Sequence, residues 1–379
     1  MIYFDYNATS PLKPGVLEAM QPYYRDFYGN PSSLHRIGRI TRDAVENARE
    51  QVAALSGASS SRIVFTSGGT EANNLAIRGL AESLPPGRIL VSPIEHPSVL
   101  EPMNALSRKG WSLTTLEVND QGVIREGSLE SAIRNNVRFA SCMLANNETG
   151  VIQNIRRIAG QLRERNIPIH CDGVQALGKI PLDYSALGIS FLSLSAHKIG
   201  GPKGVGALVI DRSIPLEPLL RGGGQEKGLR GGTENVAAIV GFGAAAEIAR
   251  QDLQKNTEGL IVLKRMLEQG LKKLRCVTIF SETAERLPNT LMFGILGIEG
   301  EMMVMELDRE GIAVSSGSAC SSQSTQPSHV LLAMGITEEL ARSAVRVSLG
   351  PENTLSEIDQ VLKALYQIVP GEAVKAAGY

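Results

Sequence analysis

Cysteine is scarce and scattered in this chain. The four residues, Cys142, Cys171, Cys276 and Cys320, form no CxxC pair. That argues against a disulfide framework and a cysteine-rich zinc site, and for a reducing, cytoplasmic setting. Aromatic residues make up 4% of the chain, too little material for base-stacking platforms. Neither sign of charge dominates. The formal net charge is −1, which supplies no long-range field for nucleic acid or an anionic membrane, so neither is expected as a direct partner. No apolar run approaches the roughly 20 residues that cross a bilayer. The opening residues, Met1-Ile2-Tyr3-Phe4-Asp5, carry no basic stretch followed by an apolar one, so no secretory signal is expected.

What is present is ordinary for a folded protein, with 43% apolar and 20% charged residues. At 379 residues the chain exceeds one typical core, so two domains are expected. From His35 to Ser56 the positions Ile37, Ile40, Ala44, Val45, Ala48, Val52 and Leu55 keep a helical period that stops at Gly57. Ile63-Val64-Phe65 reads as a strand that turns at Ser67-Gly68-Gly69 into a helix from about Thr70 to Leu84. Strands at Ile89–Val91, Phe139–Ala145, Ile167–Cys171 and Phe191–Ser193 continue the alternation, with helices at Ser98–Arg108 and Ile155–Arg165. Apolar strands alternating with helices imply an α/β fold with a mainly parallel sheet covered on both faces. Past about residue 257 the rhythm changes to that of a smaller α+β unit, which the first 15 or so residues are expected to join. The expected division is therefore 16–256 for the large domain, and 1–15 with 257–379 for the small one.

In a parallel α/β sheet, chemistry belongs in the loops at the carboxyl ends of strands. The most informative such loop is Ser193-Leu194-Ser195-Ala196-His197-Lys198-Ile199-Gly200. Lys198 closes an apolar run ahead of Gly200-Gly201-Pro202-Lys203-Gly204. A lysine at a partly dry strand end has a lowered pKa, which suits its amine to attack a carbonyl and form a Schiff base. A surface lysine beside a turn has the same local signature.

Four further segments bear on the choice. Thr66-Ser67-Gly68-Gly69-Thr70-Glu71-Ala72-Asn73 runs from a strand end into a helix start. It is either a phosphate seat or a plainly capped helix. His170-Cys171-Asp172-Gly173-Val174-Gln175 follows a strand, with His170 and Asp172 on one face. A buried carboxylate there needs a cationic partner such as a protonated pyridine nitrogen, or a backbone donor. Ala145-Asn146-Asn147-Glu148-Thr149-Gly150 is a turn whose asparagines are able to bond a ring hydroxyl or a substrate carboxylate. The stretch Ser315 to Pro327 is small and polar around Cys320. That composition favours a mobile loop with an accessible thiol suited to nucleophilic attack. Gly241-Phe242-Gly243-Ala244 matches a dinucleotide fingerprint by letters alone. It lies in a helical Ala/Val/Ile run, where close helix packing is the better account.

In this order the segments resemble the cysteine desulfurases of the NifS/IscS type, in the class V branch of fold type I pyridoxal-phosphate (PLP) enzymes. The likeness also takes in Asp5-Tyr6-Asn7-Ala8-Thr9, Gly29-Asn30-Pro31-Ser32-Ser33, Glu95-His96, Arg221-Gly222-Gly223-Gly224-Gln225-Glu226, Gly231-Gly232-Thr233 and Val345-Arg346-Val347-Ser348-Leu349-Gly350. It implies a large domain with a mainly parallel seven-stranded sheet beside a smaller α+β domain.

The resemblance also implies roles by position. Lys198 holds PLP covalently. Gly69, Thr70, Ser195 and His197 contact its phosphate, with Thr233 reaching in from the other subunit of a homodimer. Asp172 partners the pyridine nitrogen, and Gln175 contacts the ring hydroxyl. His96 stacks on the ring and serves in proton transfer. Asn147 and Arg346 grip the substrate carboxylate, for which a planar guanidinium is apt. Cys320 is the nucleophile that takes sulfur from L-cysteine as a persulfide, releases L-alanine and passes the sulfur to an acceptor such as an iron–sulfur scaffold. It is also a candidate for a cluster ligand shared with that scaffold. Small departures are Ala196 and Gly232, where relatives often carry Gly and Ser, and the pair Gly200-Gly201. Rival readings are a selenocysteine lyase or aminotransferase of the same fold, and a non-catalytic sulfur-relay docking protein. An aminotransferase needs no mobile thiol, and a docking protein needs neither Lys198 nor Asp172.

Overall fold

Apolar strands alternating with helices dictate layers, and the chain folds accordingly. It is a computed structural model describing residues 1–134, 136–274, 276–317 and 326–369. The chain opens with β1 (Ile2–Tyr3), α1 (Pro14–Arg25) and α2 (Arg36–Ser56). There follow β2 (Ile63–Thr66), α3 (Gly69–Ser83), β3 (Arg88–Val91), α4 (Pro97–Ser107), β4 (Ser112–Thr115) and α5 (Glu126–Ala132). Next come β5 (Val137–Ser141), α6 (Ile155–Arg163), β6 (Ile169–Asp172), α7 (Tyr184–Leu187), β7 (Phe191–Ser195) and β8 (Gly206–Ile210). The rest is α8 (Val236–Leu271), β9 (Val277–Ile279), β10 (Thr290–Ile295), α9 (Gly300–Arg309), β11 (Ile312–Ala313), β12 (Ser315–Ser316), α10 (His329–Ala333), α11 (Glu338–Arg342), β13 (Ala344–Ser348) and α12 (Leu355–Ile368).

Local chemistry explains the ends. Gly57 stops α2 in the left-handed region at φ 64°, which its lack of a Cβ permits. Thr354 and Glu357 start α12 with a reciprocal capping box.

Among the described residues the largest sheet has seven strands, ordered β2-β8-β7-β6-β5-β3-β4. β8 runs antiparallel to both its neighbours, and the remaining pairings are parallel. Residues of β2, β6, β7 and β8 are all buried, as expected for strands covered on both faces. A second, antiparallel sheet has the order β12-β13-β10-β9, and β1 pairs in parallel with β11. The expected strand from Phe139 to Ala145 ends at Ser141. Beyond it Cys142 and Leu144 N–H still donate to the His170 and Asp172 carbonyls of β6, while Met143 N–H turns to the Glu95 carboxyl.

The single helix α8, 36 residues long, runs through the boundary expected at 256/257. Its Ala238, Phe242 and Ala245 join the core around the large sheet, whereas Leu260, Leu263 and Leu267 join the core of the second sheet. Gly241 and Gly243 sit inside this helix. A Cβ on Gly243 would lie 2.6 Å from Ala48 Cα of α2, so close helix packing is their use. Among the described residues no helix is long and apolar enough to cross a membrane.

Candidate functional site

The carboxyl ends of β2, β6 and β7 point to one side of the sheet, where loops from both sheets close a cleft of about 350 Å³. Gly69, Thr70, His96, Asn147, Asp172, Gln175, Ser195, His197, Lys198 and Arg346 all line it. Residues 69 to 198 meet in one place because parallel strands put their following loops on the same edge, and β13 of the second sheet brings Arg346 to them.

Asp172 is the last residue of β6 and is 5% exposed. Its Oδ1 accepts from Val174 N–H at 3.0 Å and its Oδ2 from Asn73 Nδ2 at 2.8 Å. The same Asn73 amide donates to Ser98 Oγ at 2.8 Å, and Ser98 Oγ lies 2.7 Å from His96 Nδ1. Asp172 and His96 are therefore joined by a continuous hydrogen-bonded chain. His96 is the N-cap of α4 and accepts at Nδ1 from Ser98 N–H at 3.1 Å. An amide N–H only donates, so the network assigns Nδ1 as an acceptor and puts the proton of the neutral ring on Nε2. Burial lowers the His96 pKa, with the Lys198 and His329 charges adding and Asp172 opposing.

His170, the neighbour of Asp172 on the strand, is not part of the cleft. It is fully buried between Ser141 Oγ at 2.8 Å and Ser193 Oγ at 2.9 Å, and burial pushes its pKa down to about 4. It is a satisfied core histidine.

Lys198 ends a 3₁₀ turn, Ala196–Lys198, directly after β7. Its Nζ donates to the carbonyls of Asn7 at 2.5 Å and Ala8 at 2.7 Å. The segment after β1 thus crosses the cleft as a strap. Gln175 Nε2 donates to the same Asn7 carbonyl at 2.9 Å. Asn7 is itself 1% exposed, and its Nδ2 donates to Asn147 O and Thr290 Oγ1. Arg346 donates from Nη2 to Asp5 Oδ1 at 2.7 Å and from Nη1 to Asn147 O at 3.2 Å. Burial lowers the His197 pKa to about 4, with the nearby Lys198, Lys203 and Lys179 charges adding to it.

Several observations fit the residues to a phosphorylated pyridine cofactor. Gly68 is the N-cap of the 15-residue α3 and gives it no side-chain cap, so the first N–H groups of the helix face the cleft unclaimed by a capping side chain. A Cβ on Gly69 would lie 2.9 Å from Val174 Cγ2, so the backbone there approaches closely. Ser195 Oγ, Asn73 Oδ1 and Arg346 Nε are buried and have no hydrogen-bond partner among the described residues. A donor–acceptor ligand in the cleft would satisfy them. Neither Thr66 nor Ser67 caps the helix, and Glu71 stands behind the turn instead. It accepts from Ser67 N–H at 2.8 Å and pairs with Arg230.

Thr233 is exposed and does not line the cleft. Cys320 lies outside the described residues. Ser315, before it in the chain, lines the cleft, and His329, after it, has Nε2 3.0 Å from the Glu95 carbonyl. Among the described residues no group of three or more His, Cys, Asp and Glu is placed to hold a metal ion.

Sequence reasoning missed Asn7, Asn73, Glu95, Ser98 and Lys179 as members of this network. Ser98 carried a faint signal, standing two residues after a histidine at a helix start. The others depend on contacts between segments far apart in the chain.

The aminotransferase class-V family model matches residues 2–361. A cysteine desulfurase IscS of Dictyoglomus turgidum is 43% identical over 371 residues, 97% of this chain and 94% of that protein. A cysteine desulfurase of a Nostoc species is 44% identical, covering 97% of this chain and 93% of the relative. Among solved structures, a NifS-like protein superposes with a TM-score of 0.91 at 39% identity, covering 97% of this chain and 98% of that one. A protein described as SspA in complex with cysteine gives 0.82 at 36% identity, covering 93% and 100%.

Proposed function

The chain belongs to the class-V aminotransferase family, and we propose from this that it is a PLP-dependent cysteine desulfurase. The observation that carries the reading is the meeting of Lys198, Asp172 and Arg346 in one cleft. They are an amine for the cofactor aldehyde, a carboxylate for its ring nitrogen and a guanidinium for an amino acid. When bound, PLP supplies an electron sink for the α-carbon of the substrate.

This chain's residues do the rest. Asp172, held by Asn73 and Val174, keeps a proton on the ring nitrogen. The amine of Lys198 would hold the cofactor aldehyde and would move the α-proton of the substrate. Gly69, Thr70, Ser195 and His197 seat the phosphate, and Gln175 faces the ring hydroxyl. Arg346 and Asn147 orient the L-cysteine carboxylate. The Cys320 thiolate attacks the substrate sulfur. The carbon–sulfur bond breaks, a sulfur–sulfur bond forms on Cys320, and the carbon fragment takes a proton and leaves as L-alanine. Cysteine plus enzyme thiol thus balances alanine plus enzyme persulfide. His96 is the proton carrier of the site. It accepts the thiol proton at Nε2 only when Nδ1 is released by Ser98, because the neutral ring as held already bears a proton there.

The persulfide then goes to an acceptor protein. An iron–sulfur scaffold is the acceptor we favour, since two of the relatives reported above are desulfurases and one carries the IscS name. The working form is a cytoplasmic homodimer in which the partner's copy of Thr233 completes the phosphate site. Its exposure in a single chain supports that arrangement.

Borohydride reduction followed by peptide mapping should label Lys198, and Lys198→Ala should lose the yellow colour and all turnover. Cys320→Ser should keep the colour and lose alanine and sulfide production. If it turns over at the wild-type rate, the thiol assignment is wrong. A keto-acid product in place of alanine would indicate an aminotransferase.

A further inference from the structure

Lys179 is a buried lysine that the proposed chemistry does not use. It is 8% exposed and lies four residues beyond Gln175, in the turn after β6. Its Nζ donates to Gln175 Oε1 at 2.6 Å and to Asn7 Oδ1 at 2.7 Å. Among the described residues no carboxylate pairs with it. Burial, together with the Lys198 and Arg346 charges, pushes its pKa well below the ordinary lysine range. A buried amine without a counter-charge is costly, and such groups gather where function requires them.

Its two contacts reach the chemistry by separate routes. Asn7 receives Lys179 on its side-chain oxygen and Lys198 on its carbonyl, so both amines end on one residue. With the Gln175 carbonyl oxygen taken by Lys179 and one amide N–H given to Asn7 O, the amide cannot turn over. Its second N–H is what Gln175 offers to the cleft. Without Lys179 the amide could flip and present an acceptor instead.

We propose that Lys179 is a positioning residue for the reaction: it fixes Asn7, whose carbonyl receives the Lys198 amine, and it turns an N–H of Gln175 toward the cleft. This rests on the reading of Lys198 as the cofactor lysine. The charged and titratable groups around it are Lys198 and His197 on the turn after β7, and Arg346, paired with Asp5, on β13. Lys13, Tyr6 and Glu352 lie around the small cleft behind it.

The test uses holoenzyme of wild type, Lys179→Met and Lys179→Gln. Borohydride mapping of the wild type comes first. A label away from Lys198 removes the premise and defeats the proposed function as well. With Lys198 labelled, Lys179→Met should raise the midpoint of the visible-absorbance pH titration by about one unit, as loss of a neighbouring cation or donor does. It should also lower kcat about tenfold with KM for L-cysteine within about threefold, the split expected of a group that acts on the reacting state. Lys179→Gln keeps a donor for Asn7 and should recover most of kcat. A Lys179→Met enzyme with the wild-type titration and kcat would overturn the proposal. So would equal impairment of both variants together with an equal loss of melting temperature, which marks a purely structural lysine.

Discussion

Of the buried glutamates, Glu226 and Glu95 are treated in opposite ways. Glu226 accepts from Arg49 on both oxygens, at 2.7 and 2.8 Å, and from Phe65 N–H at 2.9 Å. Arg49 also donates to Ile63 O and lies 4.8 Å above the Phe65 ring. The clamp ties α2 and β2 to a turn where Glu226 and Lys227 hold φ of 47° and 62°, a region costly for residues with a Cβ. Glu95, beside the cleft, has one donor, Met143 N–H at 2.5 Å, and its other oxygen has no partner among the described residues. Burial and the Asp172 charge push its carboxyl well above the ordinary range. The histidines repeat the contrast. His170 has both nitrogens bonded in the core, while His96 is held at one nitrogen in the wall of the cleft. Away from the cleft these polar groups are closed off by their partners; beside it, partners are withheld and protonation is left adjustable.

The largest test of this contrast is Glu226→Ala. It strands a buried guanidinium and should cost about 3–5 kcal/mol in urea unfolding, as loss of one partner of a buried pair does. A loss under about 1 kcal/mol would mean the clamp is dispensable.

Next is the acid side of the stability curve. His170 has a folded pKa of about 4 against an ordinary 6.5, so between those values the unfolded chain binds the extra proton. Its contribution is whole above pH 6.5 and is lost as pH falls to about 4, at roughly 3 kcal/mol in all. His170→Asn should flatten that segment of the curve. An unchanged slope would show that another group sets it.

Glu95→Gln should act with the opposite sign. The Glu95 carboxyl is raised, so its contribution is whole below the ordinary 4.5 and declines as pH rises above it. The variant should match wild type in acid and gain relative stability with rising pH. A variant that loses stability at pH 8 would show that Glu95 is ionised in the fold.

The smallest effect is expected of Ser98→Ala. Loss of its hydroxyl should cost about 1 kcal/mol of stability. The same change should move the acid limb of kcat/KM to higher pH, since one donor to His96 Nδ1 is gone. A limb that does not move would detach Ser98 from the behaviour of His96.

Much of this was legible from residue order. The strands β2, β6 and β7 showed as apolar runs because both their faces are buried, and the loops at their carboxyl ends held Thr70, Asp172 and Lys198. β4, Ser-Leu-Thr-Thr with both end residues exposed, lacked the apolar pattern and escaped notice. β8 hid behind the glycine-rich loop that precedes it. α8 is apolar toward two different cores along its length, so no single periodic face announced its full extent.

Residue order alone determined the layered α/β architecture and the edge of the sheet at which chemistry must collect, because burial pattern and strand direction are local properties of the chain. Which groups are clamped and which are left poised was decided by tertiary structure. How Glu95 is partnered and why Lys179 is buried depend on neighbours tens to hundreds of residues away. Hydrogen bonds and desolvation act through distances of a few ångströms in space, and sequence separation carries no information about those.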